Sequence, residues 1–373
     1  MDTTLAKRNP IIDQPLQDLL VSAGIVPYFQ DLHKRFVLLH GDSLDLLARM
    51  PPGCVDMIFA DPPYFLSNDG ITCHAGKMVS VNKGEWDRSQ GPDANHEFNR
   101  RWLAACQRVL KPNGTLWVTG TAHVIHSVGF AMQQLGFKLL NDISWVKPNP
   151  PPNLSCRYFT HATETVIWAA KNKKSKHKFN YGLMKERNGG KQMQSVWRIA
   201  APGANEKRFG KHPTQKPLAL LERILLASTH EGDLVVDPFM GSGTTGVVAL
   251  RLRRQSVVID REWLHVDLAL KRYFAEIVDI SITVEALHSS LDLRACFVDR
   301  SGMRFPGSKM ASPSKLVHRE RKYFFVSTYK REVIYSVTAE SLEEAWRQFN
   351  ATRYASEEIL SVIKTETEIY LAQ

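Results

Sequence analysis

Cysteine is scarce and unpatterned. The five cysteines, Cys54, Cys73, Cys106, Cys156 and Cys296, are scattered and include no Cys-x-x-Cys pair. That argues against a disulfide framework or a zinc site. The expectation is metal-free chemistry in a reducing compartment, read as the cytoplasm at the nucleoid. Long apolar runs are also missing, so no bilayer span is expected. Residues 1–14 alternate charged and polar side chains and lack the apolar centre of a secretory signal. Acidic residues are nearly absent from one stretch: between Lys171 and Lys216, thirteen basic residues accompany only Glu186 and Glu206. The whole chain carries a net charge of +10, so this segment alone accounts for the excess. A solvated surface is the bland explanation. A phosphate backbone is the better one, with Lys173, Lys174 and Lys176 as candidate contacts.

What is present is an ordinary globular composition. With 373 residues, 43% of them hydrophobic, the chain can build one large domain or two. An amphipathic entry helix is read over 14–32. After it, apolar strands alternate with helices. Strands are expected at 35–40, 55–60, 115–120, 138–146, 164–170, 233–236 and 256–259. Helices are expected at 43–50, 97–110, 124–135, 217–230 and 262–277. This rhythm predicts an α/β fold: a Rossmann-like, doubly wound, mostly parallel sheet covered on both faces. Ligands bind such sheets at the C-terminal ends of the strands, and both motifs below fall there.

The first motif is Asp237-Pro238-Phe239-Met240-Gly241-Ser242-Gly243-Thr244-Thr245-Gly246, between a strand and a helix. Its glycines permit a tight turn and a close approach of backbone to ligand, beside the free N–H groups of a helix start. No lysine follows them, so this is not a phosphate loop, and the GxGxxG dinucleotide pattern is absent. Asp260 ends the next strand, where an acid can hold a ribose diol. A tight strand-to-helix turn of any α/β enzyme remains an alternative for the glycines alone.

The second motif, Asp61-Pro62-Pro63-Tyr64, closes a buried strand. Prolines donate no ladder hydrogen bonds and stiffen the turn. A carboxylate beside a proline carbonyl offers two acceptors for one NH₂ group, and the tyrosine can stack on a planar ring. These parts suit an exocyclic amine, whose lone pair is delocalised until its protons are held. Transfer of a methyl group then needs positioning rather than a covalent intermediate. A plain strand-ending turn is the alternative.

Together the two motifs resemble the β class of DNA amino-methyltransferases, in which Asp-Pro-Pro-Tyr precedes the target-recognition region and the glycine motif comes last. His212-Pro213-Thr214-Gln215-Lys216-Pro217, also characteristic of that class, lies between them. The resemblance covers roughly residues 34–275. It implies S-adenosylmethionine as cofactor, with Asp42 at its adenine, Asp260 at its ribose, and Lys216 with Thr244 and Thr245 at its carboxylate. The resemblance extends to the DpnA-type adenine methyltransferases of GATC sites, through Asp61–Asn68, His96–Arg100 and Pro152–His161. It implies N6-adenine methylation of DNA, with the base flipped out of a duplex. Arg157, Tyr158 and His161 are the candidate contacts in the recognition loop. A homodimer and a cognate restriction endonuclease are compatible with it, as is a single-stranded substrate.

Methylation of N4 of cytosine is the nearest rival. It is disfavoured because Ser usually stands where Asp61 does. RNA methylation is a further rival, and a non-catalytic DNA-binding regulator on the same scaffold belongs to another class. The expected organisation is an entry segment at 1–33, a catalytic domain at 34–285 with a recognition insert at about 150–211, and a C-terminal extension at 286–373. In the extension, 300–331 reads as a basic linker, 323–337 as a hairpin and 341–349 as a helix, a small β-β-α unit.

Overall fold

The computed structural model describes residues 16–31, 35–67, 71–74, 77–80, 87–153, 155–210, 212–287, 316–327, 333–338, 348 and 359–370. Its centre is a nine-stranded sheet in the order β1-β2-β11-β10-β3-β6-β8-β7-β9. The strands are β1 (Phe29–Gln30), β2 (Phe36–His40), β3 (Val55–Ala60), β6 (Leu110–Gly120), β7 (Lys138–Val146), β8 (Thr163–Ala170), β9 (Val196–Arg198), β10 (Leu234–Asp237) and β11 (Gln255–Asp260). β1 and β8 run against the rest. β4 (Ile71–His74) and β5 (Lys77–Ser80) form a separate hairpin.

The central strands are buried on both faces, which is why they read as continuous apolar runs rather than as alternation. Val235, Val236, Val257, Val258, Met57, Ile58, Leu116 and Val118 are all fully buried. The helices are α1 (Leu16–Ser22), α2 (Ser43–Arg49), α3 (Pro92–Val109), α4 (Ala122–Gln134), α5 (Tyr181–Arg187), α6 (Leu218–Ser228), α7 (Thr244–Arg251) and α8 (Trp263–Leu287). Among the described residues no helix is long and apolar enough to cross a membrane.

Several expectations need correction. The entry helix is short: α1 stops at Ser22, Gly24 takes φ 61, and β1 then joins the main sheet against β2. Leu16, Leu19, Leu20 and Ile25 pack in the main core, so these residues belong to the catalytic body rather than to a separate segment. The expected insert at 150–211 is not one excursion, because β8 and β9 within it are strands of the central sheet. In the C-terminal region, β12 (Leu316–Ser327) starts inside the stretch read as linker. It pairs antiparallel with β13 (Val333–Thr338) and also with β14 (Ile359–Tyr370), a strand not anticipated. Residues 300–315 and the bulk of the expected helix at 341–349 lie outside the described residues.

Strand direction decides which side of the sheet each loop occupies. β2, β3, β6, β10 and β11 are parallel, and their C-terminal ends form one edge. β8 is antiparallel, so its end at Ala170 pairs with Thr115, at the opposite edge. The loop 147–162 between β7 and β8 and the segment 199–217 after β9 return to the first edge, as Val146 pairs with Thr163 and Arg198.

Candidate active site

A cleft of about 1040 Å³, its open mouth included, lies at the C-terminal ends of β2, β11, β10 and β3. Its lining unites Asp42, Asp61, Pro62, Pro63, Tyr64, Lys216, Asp237, Pro238, Phe239, Gly241, Ser242, Thr244, Thr245 and Asp260. These come from motifs far apart in sequence. Adjacency of β3 and β10, with Val235 beside Met57 and Val236 beside Ile58, brings their following turns together.

Three donors already hold the carboxylate of Asp61. Oδ1 accepts from the Tyr64 hydroxyl at 2.7 Å and from Thr119 Oγ1 at 2.6 Å. Oδ2 accepts from Lys216 Nζ at 2.6 Å. Glu164 stands behind the pair: it binds Lys147, lies 3.3 Å from the Tyr64 hydroxyl and 3.7 Å from Lys216 Nζ. Burial alone would lower the Lys216 pKa, but Asp61 and Glu164 more than offset it and hold the ammonium charged. Burial likewise opposes ionisation of Glu164, and Lys216 and Lys147 overcome it. Burial, then the charges of Asp61 and Glu164, push the Tyr64 phenol well above its ordinary range, so it remains a donor.

The turn after Asp61 is clamped by Asp87. Its carboxylate accepts from the N–H groups of Tyr64, Phe65 and Leu66 at 2.8, 2.8 and 3.2 Å and from Ser67 Oγ at 2.9 Å. Phe65 takes φ 57, a left-handed conformation that a bulky residue keeps only when its surroundings enforce it.

The glycine turn is built by a second set of buried groups. Gly243 caps α7 with φ 75, and a Cβ there would lie 2.7 Å from Ala269 Cβ. Gly241 takes φ 52 beside the His212 ring. Arg272, buried beneath the turn, donates to Ser242 O, Ser242 Oγ and Thr244 Oγ1. Asp237 accepts from Thr245 Oγ1 and from Phe239 N; burial raises its pKa to about 7. Asp260 accepts from Gly241 N and Glu262 N, each at 2.9 Å, with His265 Nδ1 at 3.1 Å. The Asp42 Oδ1 atom caps α2 through Leu44 N and Asp45 N. His212 packs edge-on against His265, and burial followed by that neighbour lowers its pKa to about 3.

The chain matches the family described as DNA methylase over residues 55–271. It belongs to the DNA methylase family. Three relatives agree. The chain is 56% identical over 251 residues to the Type II methyltransferase M2.DpnII of Streptococcus pneumoniae, covering 67% of this chain and 93% of that one. It is 56% identical to M2.LlaDCHI of Lactococcus lactis subsp. cremoris over 66% of this chain and 91% of that one. It is 50% identical to M2.MboI of Moraxella bovis over 67% and 91%. In fold it is similar to the PvuII DNA methyltransferase (cytosine-N4-specific), with a TM-score of 0.53, 22% identity, and coverage of 71% of this chain and 96% of that one.

Members of this family take their methyl group from S-adenosylmethionine, and the cleft of the methylase fits that molecule. Its lining carries six carboxylates, Asp42, Asp61, Asp87, Asp237, Asp260 and Glu262. Among the described lining residues, Lys216 is the one buried lysine or arginine, Arg261 lying half-exposed beside Glu262. Gln215 Oε1, also in the lining, is a buried acceptor without a protein partner. A ligand that carries donors, positive charge and one carboxylate satisfies all three features.

The candidate DNA contacts separate into two groups. Arg157, Tyr158 and His161 are exposed on the loop 147–162, at the cleft edge. Asn153 organises that loop, donating to Tyr158 O and accepting from Ser155 N and Oγ. Phe159 beside them is 96% exposed. Lys173, Lys174 and Lys176 are exposed at the opposite edge, where Lys171 N bonds Gly114 O and Lys176 N bonds Asn113 Oδ1. The structure therefore does not bring these three lysines to the cleft.

Sequence reasoning missed Thr119, Glu164, Asp87 and Arg272. Glu164 carried a faint signal, an acid heading an otherwise apolar strand. The others are unremarkable until the chain folds.

Proposed function

We propose that this DNA methylase methylates N6 of adenine in duplex DNA, within GATC. The observation that carries the reading is Asp61, a carboxylate held by Thr119 and Tyr64 at the floor of a cleft shared with the glycine turn. When bound, S-adenosylmethionine supplies a methyl group on a positively charged sulfur. Asp42, Asp260 and the turn 237–245 are the residues to hold it, with Lys216, Thr244 and Thr245 at its carboxylate.

Asp61 accepts an N–H of the target amine and takes up the proton released as the new N–C bond forms. Tyr64, only 5% exposed and anchored to Asp61 through its hydroxyl, offers its ring beside the base. A base in a stacked duplex does not reach a carboxylate this recessed, so the target nucleotide is flipped.

DNA lies across the cleft edge. Arg157, Tyr158 and His161 read or fill the site, and exposed Lys207 and Arg208 of the segment 199–217 meet phosphates. The preference for adenine is supported by Asp61 standing where N4-cytosine enzymes usually carry Ser. The GATC assignment is supported by the resemblance through Pro152–His161. The relatives' Type II names support a cognate restriction endonuclease as a functional counterpart, in the cytoplasm. Mapping modified bases in DNA from a methylation-deficient host that expresses the chain tests the base and the site. N6-methyladenine in GATC is expected; methyladenine elsewhere would overturn the site, and N4-methylcytosine the base.

A further inference from the structure

The Lys216–Asp61 pair poses a chemical problem. Asp61 must accept an N–H and then a proton from the target, yet Oδ1 already takes two donors and Oδ2 is paired with the Lys216 ammonium, which weakens it as a base. Thr119 and Tyr64 cannot leave. Thr119 is wholly buried on β6, and Tyr64 is fixed by the Asp87 clamp on its backbone. Lys216 can leave, because its head sits on a flexible four-carbon stem. Its own backbone is anchored elsewhere: Lys216 O accepts from Thr244 Oγ1 at 3.1 Å, tying the residue to the first turn of α7. The side chain thus bridges two halves of the cleft, rooted at the cofactor turn and paired at the catalytic turn.

We propose that Lys216 exchanges Asp61 for the carboxylate of S-adenosylmethionine, so that cofactor binding itself frees the catalytic carboxylate for the target amine. The proposal rests on the cofactor reading above and deepens it. Before exchange, Lys147 and Lys216 balance Asp61 and Glu164. After exchange Lys216 keeps a carboxylate partner, so no buried ammonium is left bare, which would be costly. Asp61 keeps its hydrogen bonds from Thr119 and Tyr64, and its Oδ2 is relieved of the ammonium, suited to an amine that becomes positive as it is methylated. Lys216 is a positioning residue in this scheme, acting through Asp61. One consequence is an order of events: Asp61 becomes competent for the target only in the cofactor-loaded protein. Another is a change of sign that a purely structural lysine would not produce. The Asp61 pair competes with the cofactor for Lys216, so the apparent cofactor affinity is reduced by the fraction of Lys216 withheld.

The test is equilibrium binding to the full chain by calorimetry, without DNA, using S-adenosylmethionine and 5′-methylthioadenosine, which lacks the carboxylate. Asp61→Asn is expected to bind S-adenosylmethionine at least about fivefold tighter than the unaltered protein, the lower end of usual coupling between sites. Lys216→Gln is expected to bind it at least about fivefold weaker, and adding Asp61→Asn to Lys216→Gln should change nothing further. Binding of 5′-methylthioadenosine should be the same with and without Asp61→Asn. Asp61→Ser serves if the Asn variant unfolds. Unchanged or weaker S-adenosylmethionine binding by a folded Asp61 variant would overturn the exchange while leaving the cofactor reading intact. Failure of the unaltered protein to bind either ligand would overturn that reading and the exchange with it.

Discussion

Lys216 and Asp61, 155 positions apart in the chain, meet through a 2.6 Å ion pair at the floor of the cleft. In the proposed reaction Asp61, released from this pair, is the residue on which methyl transfer depends. Asp61→Ala should lower turnover by roughly 10²–10⁴-fold, the usual weight of a positioned acid or base. It should keep cofactor binding, tightened in the way the exchange of Lys216 requires. Transfer of a labelled methyl group to DNA measures the first, and near-normal turnover in a folded variant would refute the assignment.

Asp87 holds the backbone of the turn that presents Tyr64. Asp87→Ala leaves the N–H groups of Tyr64, Phe65 and Leu66 without their acceptor, and Phe65 without support for its φ of 57. Thermal unfolding should show a loss of about 1–3 kcal/mol, the cost of leaving buried donors unpaired. Stability within error of the unaltered protein would mean that the turn is self-supporting.

Two glycines of the turn 237–245 should tolerate no side chain. Gly243→Ala places a methyl 2.7 Å from Ala269 Cβ in a left-handed residue, and should destabilise by about 1–3 kcal/mol. Gly241→Val sets a branched side chain against the His212 ring at the cleft wall. It should abolish detectable cofactor binding before it abolishes folding. Normal binding by a folded Gly241→Val protein would remove the turn from the cofactor site.

Cations on the two edges of the sheet should behave differently toward DNA. Replacing Lys207 and Arg208 by Gln should weaken binding to all sequences and reduce the salt slope by about 0.9 for each phosphate no longer neutralised. Replacing Lys173, Lys174 and Lys176 together should leave both affinity and slope unchanged, because they lie at the edge away from the cleft. The opposite pattern in a salt titration would move the DNA track to that edge.

His212 gives the fold an acid limit. Its folded pKa, about 3, lies below its ordinary 6.5. The stability linked to it is complete above pH 6.5 and falls as the pH drops toward 3, because the unfolded chain protonates first. At pH 5 the loss attributable to this group is about 2 kcal/mol. His212→Gln should flatten the decline in melting temperature between pH 7 and 5. An identical decline in the variant would assign the limit to other groups.

The strands are legible in the sequence because β3, β10 and β11 are buried on both faces, and both motifs are legible because each is contiguous. Which edge a loop occupies is not. The basic stretch from Lys171 reads as one DNA-facing unit, yet β8 runs against its neighbours and delivers Lys173–Lys176 to the far edge. Only the later part, from Arg198 onward, comes back to the cleft. Partnership is equally hidden. Glu164 meets Tyr64 across 100 positions and Thr119 meets Asp61 across 58, and no local pattern records such pairs. The family resemblance implies Lys216 at the cofactor carboxylate, and its partner in the structure is Asp61. Gly24 and Pro27 are the local signs that the entry helix ends early.

The adjacency of β3 and β10 also sets a timetable for making the protein. Met57 pairs beside Val235, so the strand that carries Asp61 acquires this neighbour only after most of the catalytic region has been synthesised. At ordinary elongation rates of about 5–20 residues per second, the interval is roughly 9 to 36 s. During it β3 can pair with β6 on one side, while its other edge stays open. Pairings of such sequence separation are slow to form. The nascent chain therefore holds half of its cleft, with an unpaired strand edge, for far longer than local structure takes to appear. This is the period in which a chaperone or a neighbouring nascent chain would find it.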